Sequence, residues 1–320
     1  MKVKLMDYDP NRHYDAVADL WERTLGDKFG VTDRILRPRI WTRPSLEPGD
    51  GVVALNRRRV VGFGMIEFSR DFLVPPTSGS IEALVVDPAF QRRRVGSQLL
   101  ARLEDRLRGL KCQSAAVGCG LYRFWSGTPV ELPAATAFFE SHAYASNYDA
   151  IDMVAPLADF QIGEPHKARL REKGAVVESV KPDEIGRLFD FLTREALGWR
   201  ESMLRMVAAG DAPNALVVRR GDELIGCIQT FIPTSRFRYA NLVWERVYGE
   251  NLGGFGAVLI AKDWRKQGLG VAMIQAAAQH VKDHGGSHCF IDWTSHSLAP
   301  FYAKTGARIC GVFKKHAKSL

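Results

Sequence analysis

The sequence predicts an α+β fold: a twisted mixed β-sheet flanked by helices, built twice in tandem. Three observations carry this. The chain has 320 residues, which suits two domains of ordinary size. The order strand, helix, hairpin, strand, loop, helix, strand, helix, strand runs once through each half. Each half also sets a basic loop between an apolar run and a helical run. Leu84-Val-Val86 leads into Asp87 to Ser97 in the first half, and Gly256 to Ile260 leads into Ala261 to Val271 in the second. A repeat this long is a duplicated domain, not a solenoid unit.

In the first half, Val3 to Met6 reads as a strand. Asp9-Pro10 then opens a helix whose apolar face is Val17, Leu20, Trp21 and Leu25. Val52 to Leu55 and Val60 to Phe68 form a hairpin around Asn56. Ser80 to Val86 is the strand before the loop and Gln98 to Leu107 the helix after it. Ala115 to Gly118, Pro133 to His142 and Tyr148 to Val154 complete the half as strand, helix and strand.

The second half repeats the series. Val176 to Val180 is a strand, and Pro182 starts a helix through Ile185, Leu188, Phe189 and Leu192. Ala215 to Arg219 and Leu224 to Phe231 form a hairpin. Phe255 to Ile260 precedes the loop and Ala272 to Lys282 follows it. His288 to Trp293, Ala299 to Lys304 and Arg308 to Phe313 finish as strand, helix and strand. The expected division is therefore residues 1–155, a polar linker at 156–172, and residues 173–320.

Composition narrows the classes of function. Hydrophobic residues make up 46% and charged residues 25%, as in a soluble globular protein. The formal net charge of +8 suits an anionic ligand, and no long basic tract directs it to nucleic acid. The five cysteines have no Cys-x-x-Cys spacing and are odd in number, so neither a disulfide framework nor a zinc site is expected. His280, His284, His288 and His296 form a loose group, but no carboxylate–histidine spacing is compelling and no metal is expected. The N-terminus lacks a signal-peptide core and no apolar run reaches membrane-spanning length, so the expected location is the cytoplasm.

The second loop, Arg265-Lys-Gln-Gly-Leu-Gly270, carries the chemistry. Glycines at 268 and 270 free the backbone to approach a ligand closely. The amides of Lys266, Gln267, Leu269 and Val271 can then face a diphosphate, aided by the positive end of the following helix. Arg265 and Lys266 add charge. A plain strand-to-helix turn has the same glycine spacing. The chain contains neither Gly-x-Gly-x-x-Gly nor the Walker-type Gly-Lys-Ser/Thr, which demotes the usual dinucleotide and nucleotide loops.

The run Val258 to Ile274 resembles the acetyl-CoA-binding segment of the GNAT N-acetyltransferases, Gln/Arg-x-x-Gly-x-Gly/Ala after a strand. Ala299-Pro-Phe-Tyr-Ala-Lys-Thr-Gly-Ala307 is similar to that family's tyrosine-bearing helix. The resemblance covers nearly all of both halves and implies two tandem GNAT-like domains using acetyl-CoA. It implies that the backbone of Val258, Leu259 and Ile260 pairs with the pantetheine arm. The loop from Arg265 to Val271 would hold the pyrophosphate, and Ser295 stands where a cofactor-contacting asparagine is frequent. Tyr302 stands where many members place a general acid, which protonates the departing thiolate. Asp292, on the strand before it, is the candidate to bind the substrate ammonium or take its proton through water. Glu245 and Glu250 are further carboxylates in reach of the cleft.

The first half departs from that pattern. Arg94 replaces the first loop glycine, Gly96 remains, and Phe139 stands in the tyrosine place. Glu82 occupies a position where some members carry a base; its counterpart is Gly256. The expected protein is an enzyme with a degenerate first half. Its second half moves an acetyl group to a primary amine of a small molecule by direct attack. The competing expectation is a non-catalytic CoA-sensing or partner-binding protein. No nucleic-acid or membrane partner is expected, and a homodimer is left open.

Overall fold

Local rules account for where the elements begin. The first helix, α1 (Pro10–Phe29), follows strand β1 (Lys4–Asp7). It starts at Pro10 because Asp9 caps it, accepting the Asn11 N–H at 3.0 Å. Its inner face is Tyr14, Val17, Leu20 and Trp21. The chain continues through α2 (Asp33–Ile40), the strands β2 (Gly51–Asn56), β3 (Arg59–Phe68) and β4 (Ser78–Val86), and α3 (Val95–Gly109). Then come β5 (Ser114–Val117), the short β6 (Thr128–Pro129), α4 (Pro133–Ser141) and β7 (Ala145–Pro156). The computed structural model describes residues 3–71, 73 and 77–320.

The second series is α5 (Glu164–Glu172), β8 (Val176–Ser179), α6 (Ile185–Glu195), α7 (Arg200–Ala208), β9 (Ala215–Arg220) and β10 (Glu223–Phe231). After it come α8 (Glu245–Tyr248), β11 (Leu252–Ile260), α9 (Leu269–Asp283), β12 (His288–Thr294), α10 (Ala299–Tyr302) and β13 (Arg308–Ser319). On α6 the buried positions are Leu188, Phe191 and Leu192. Phe189, expected on the inner face, instead receives the Arg200 guanidinium 5.1 Å above its ring.

The chain divides into two units, Met1–Ala150 with Phe313–Leu320, and Ile151–Val312. The dividing line runs through β7 and β13. In the first unit the sheet order is β1-β2-β3-β4-β5, closed by the end of β13. That end pairs antiparallel with β5, Ala317 opposite Ala116 and Ser319 opposite Ser114. In the second the order is β8-β9-β10-β11-β12, closed by the end of β7, with Phe290 opposite Val154. The tail of each half's last strand thus belongs to the other half's unit, and the 1–155 and 173–320 division is redrawn accordingly. The stretch 156–172, expected as a linker, holds α5, and its Phe160 and Leu170 pack on the second unit's core.

Each unit has its own core beneath one long helix. In the first, Val95, Leu99, Leu103 and Leu107 of α3 cover the sheet. In the second, Leu269, Met273, Ala277 and Val281 of α9 do the same against Ile228, Phe255 and Ile291. Each such leucine withdrawn from water contributes roughly 1.5–3 kcal/mol.

Candidate active site

The second unit's site lies where two parallel strands part. The β11–β12 ladder runs from Leu252 opposite His288 to Phe255 opposite Ile291. Beyond it β11 continues to pair with β10, Gly256 opposite Gln229 and Ile260 opposite Gly226. Among the described residues the β12 ladder does not extend along its other edge, and an extended chain carrying amides can join such an edge as a further strand would. Two bulges shape the opening. One is in β11, with Ala257 at φ 50°. The other is in β12, with Trp293 at φ 47°. The Trp293 N–H donates to the buried Asp152 carboxylate at 3.0 Å, which fixes the second bulge.

Asn241 props the parting open. Its Nδ2 donates to the carbonyl oxygens of Phe255 at 2.8 Å and Phe290 at 3.0 Å, both at the end of the ladder. The residue is fully buried. A side chain at Gly254 would overlap the Phe290 carbonyl oxygen and press on Asn241, which explains that glycine.

The loop after β11 has the geometry of an anion cradle. Lys266 and Gly268 both take left-handed torsions, φ 60° and 84°. The first intrahelical bond of α9 runs from the Ala272 N–H to the Gly268 carbonyl. The N–H groups of Leu269, Gly270 and Val271 in its first turn therefore have no intrahelical acceptor. Arg265 donates from Nε to the Ile260 carbonyl at 2.9 Å, so this side chain ties the loop to the strand it leaves. The Gln267 amide does the same to the Asp263 carbonyl at 3.1 Å. Arg169 of α5 lies over the loop: a Cβ at Gly268 would come within 3.2 Å of its Cγ and Nε. No motif marks that cation in the sequence, because it comes from the stretch read as a linker.

Tyr302 ends α10, half-buried against the α9 core, with its ring 6.1 Å from that of Phe255. Burial pushes its phenol up to about 12, so it keeps its proton at neutral pH. Asp292 is half-buried, one residue past the end of the ladder. It shares strand parity with Phe290, which faces Trp244 and Tyr248. Ser295 shares a hydrogen bond with Ser297, Oγ to Oγ at 2.8 Å.

Other expectations change. Glu245 is fully buried in an ion pair with Arg238, which holds the 232–248 segment together and withdraws that carboxylate from the cleft. Glu250 is exposed. Trp244, Trp264 and Trp293 are half-buried and Trp199 is exposed. His280 stacks on His284 with centroids 4.1 Å apart. Among the described residues no group of three or more His, Cys, Asp or Glu is placed to hold a metal ion. No helix of the described residues is long and apolar enough to cross a membrane.

The first unit repeats the frame with different contents. Arg92 and Arg94 take the left-handed torsions of Lys266 and Gly268, φ 58° and 62°. Phe138 packs over Gly96 as Phe301 does over Gly270. At the parting of β4 and β5, however, the chain fills its own opening. The Gly120 N–H donates to Glu82 Oε1 and the Tyr122 N–H to Glu67 Oε2, each at 2.7 Å. Both carboxylates are buried. Lys315, from the end of β13, donates to the Gly118 carbonyl at 3.2 Å and contacts Cys119 Sγ at 2.9 Å.

Comparison with known proteins agrees with this frame. The profile of the Acetyltransferase (GNAT) family matches residues 14–144 and 185–307. No curated protein sequence matches the chain. Among solved structures, one similar chain is a fungal multi-domain GH3 β-N-acetylglucosaminidase described as having a GCN5-related glucosamine N-acetyltransferase region. It is 22% identical over 99% of this chain, with a TM-score of 0.91. This chain spans only 38% of that protein's length. A GCN5-related N-acetyltransferase from Sphaerobacter thermophilus is 14% identical, with a TM-score of 0.69 over 99% of this chain and 95% of its own. A tandem GNAT protein from the clavulanic acid biosynthesis pathway is 13% identical, with a TM-score of 0.65 over 99% and 98%. At such identities the likeness is one of fold. With both halves matched by the profile and a parted sheet in each, the chain belongs to the GNAT acetyltransferase family, as a tandem of two GNAT units.

Proposed function

We propose that the second unit transfers an acetyl group from acetyl-CoA to a primary amine of a small molecule. The observation that carries this is the continuous path from the free edge of β11, through the left-handed loop, to the start of α9. Val258 to Ile260 would pair with the pantetheine amides. The amides from Lys266 to Val271 would hold the pyrophosphate, with Arg169 above them. Acetyl-CoA supplies the activated acyl group.

The protein's part is to place donors and acceptors on the two faces of the opening. Tyr302 is on the face covered by α9, where a phenol that holds its proton can give it to a departing thiolate and regain it from water. Asp292, by strand parity, is on the opposite face, suited to receive the proton lost by the amine through water. A backbone N–H at the β11 bulge would stabilise negative charge on the acyl oxygen. Burial pushes the Cys227 thiol up to about 12 and raises that of Cys289, so neither site-strand cysteine is an available thiolate. Direct attack on the thioester is therefore favoured over an acyl-enzyme. The fungal neighbour's glucosamine makes amino sugars the first acceptors to try.

The test is acetyl transfer across a panel of amines by wild type and Tyr302→Phe. We expect kcat to fall roughly 100-fold or more in the variant, the range for loss of a positioned acid, with acetyl-CoA affinity unchanged. Tight acetyl-CoA binding without transfer to any amine would favour the CoA-sensing alternative.

A further inference from the structure

We infer that Gln229 and Asn241 form the acceptor subsite of the second unit, and that they select an amine bearing a neighbouring hydroxyl over one bearing a carboxylate. This rests on the acetyltransferase reading above and adds the residues that meet the amine.

Two buried amide side chains lie on the side of the sheet that Gly256 faces. Gln229 is its register partner on β10, so the two positions face the same side of the sheet. A Cβ at Gly256 would lie 3.5 Å from Asn241 Oδ1, so that oxygen is on this side too. It is the side away from α9, because a Cβ on odd-numbered Gly253 would meet Val281 of α9. Asn241 is fully buried and Gln229 is 1% exposed. Neither Asn241 Oδ1 nor Gln229 Oε1 has a hydrogen-bond partner. The Asn241 amide cannot be turned the other way, since its Nδ2 serves the Phe255 and Phe290 carbonyls. The Gln229 Nε2 contacts Met203 Sδ at 3.9 Å.

A buried oxygen without a donor is destabilising, and two on one side of the sheet call for an explanation. Gly256 supplies it. Like Gly254 on the same face it has no side chain, but it is half-buried where Gly254 and its neighbours on β10 are closed off. A small molecule standing there would bring the missing donors. Both orphans are acceptors and carry no charge. They can take N–H and O–H groups and offer nothing to a carboxylate, which they would repel and leave desolvated. A vicinal amino alcohol presents an amine and a hydroxyl as two donors side by side. An α-amino acid presents a carboxylate in the place of the second. The amide oxygens hold and orient the amine; they do not remove its proton, so Gln229 and Asn241 are binding residues.

The experiment compares wild type with Gln229→Met, which keeps the shape and removes the acceptor. The probes are glucosamine and glycine, with acetyl-CoA binding followed separately by calorimetry. We expect wild type to prefer glucosamine, and its KM to rise roughly 3- to 10-fold in Gln229→Met, one hydrogen bond's worth. The acetyl-CoA Kd should not move. The melting temperature of the free variant should rise, because the orphaned oxygen is gone; a merely structural glutamine would give the opposite sign. Asn241→Ser, checked for folding by its melting curve, should raise the same KM. An unchanged glucosamine KM in both variants, or a wild type that prefers glycine or uses neither probe while binding acetyl-CoA, overturns the inference alone. A wild type that does not bind acetyl-CoA removes the reading beneath it as well.

Discussion

The two partings of the sheet are made by the same strands in the same order, and they are filled in opposite ways. At β4 and β5 the backbone itself occupies the opening, with Gly120 and Tyr122 donating to Glu82 and Glu67. At β11 and β12 the place of Glu82 is taken by Gly256, and the nearest polar atom is an amide oxygen without a donor. The first arrangement gives the Glu82 carboxylate a backbone donor at Oε1 and leaves Oε2 without one. The second leaves acceptors waiting. The two partings thus differ in whether backbone N–H groups of the chain itself reach the polar side chains that face them.

The loops, by contrast, share their left-handed torsions. A glycine at the left-handed position is usually read as a necessity, since a side chain there costs roughly 1–2 kcal/mol. Arg94 nevertheless takes that conformation, so the first loop kept its shape after losing its glycine. Gly268→Glu is the largest test of the contrast. It adds backbone strain and puts a like charge where a pyrophosphate would sit. Acetyl-CoA affinity measured by calorimetry should fall about 100-fold, close to 3 kcal/mol. Arg94→Glu in the first unit should leave it within twofold. Equal losses in both variants would show that the cofactor uses the first loop as well.

A second test separates the units by acid stability. Burial, with His284 nearby, lowers the His280 imidazole from 6.5 to about 4. The unfolded chain therefore takes up this proton first, and the folded state loses stability as pH falls from about 6.5 to about 4. Above that window the contribution is complete. Up to about 3 kcal/mol is at stake. His280→Phe should flatten this part of the melting-temperature curve. Burial also lowers His316, in the first unit, so a residual slope of the same sign is expected. An unchanged curve would show that His280 takes up its proton alike in the folded and the unfolded chain.

The smallest expected effect bears on the filled opening. Glu82→Gln removes the charge that accepts the Gly120 N–H, and should cost roughly 1–3 kcal/mol of stability. Turnover by the folded protein should stay within twofold. A loss of turnover without a loss of stability would return the first unit to the catalytic question.

Much of the frame was legible in the sequence. The apolar run before each loop, the glycine spacing and the tyrosine–phenylalanine exchange all mark local structure, and local structure is written in neighbouring residues. What was not legible depends on distance. The strands predicted at Tyr148 to Val154 and at Arg308 to Phe313 both exist, but alternation says only that a strand is half-buried, not which sheet it joins. Leu170 and Phe160 are too few to betray that α5 folds onto a core. Asn241 is one amide in a long segment without periodicity. Its meaning comes from two carbonyls, at Phe255 and Phe290, that sequence places 14 and 49 residues away. Glu245 reads as a carboxylate in reach of the cleft until Arg238 is seen beside it.

The tail that closes the first sheet has a consequence in time. Residues 1–150 leave the ribosome first, yet their last strand, with Lys315, is made only after all of 151–312. The earlier-born unit must wait, with the β5 edge uncovered, while the later one is synthesised. That edge is a template for wrong pairing. The unit richest in buried charge is thus the one exposed longest, and slow translation through the second half prolongs its hazard.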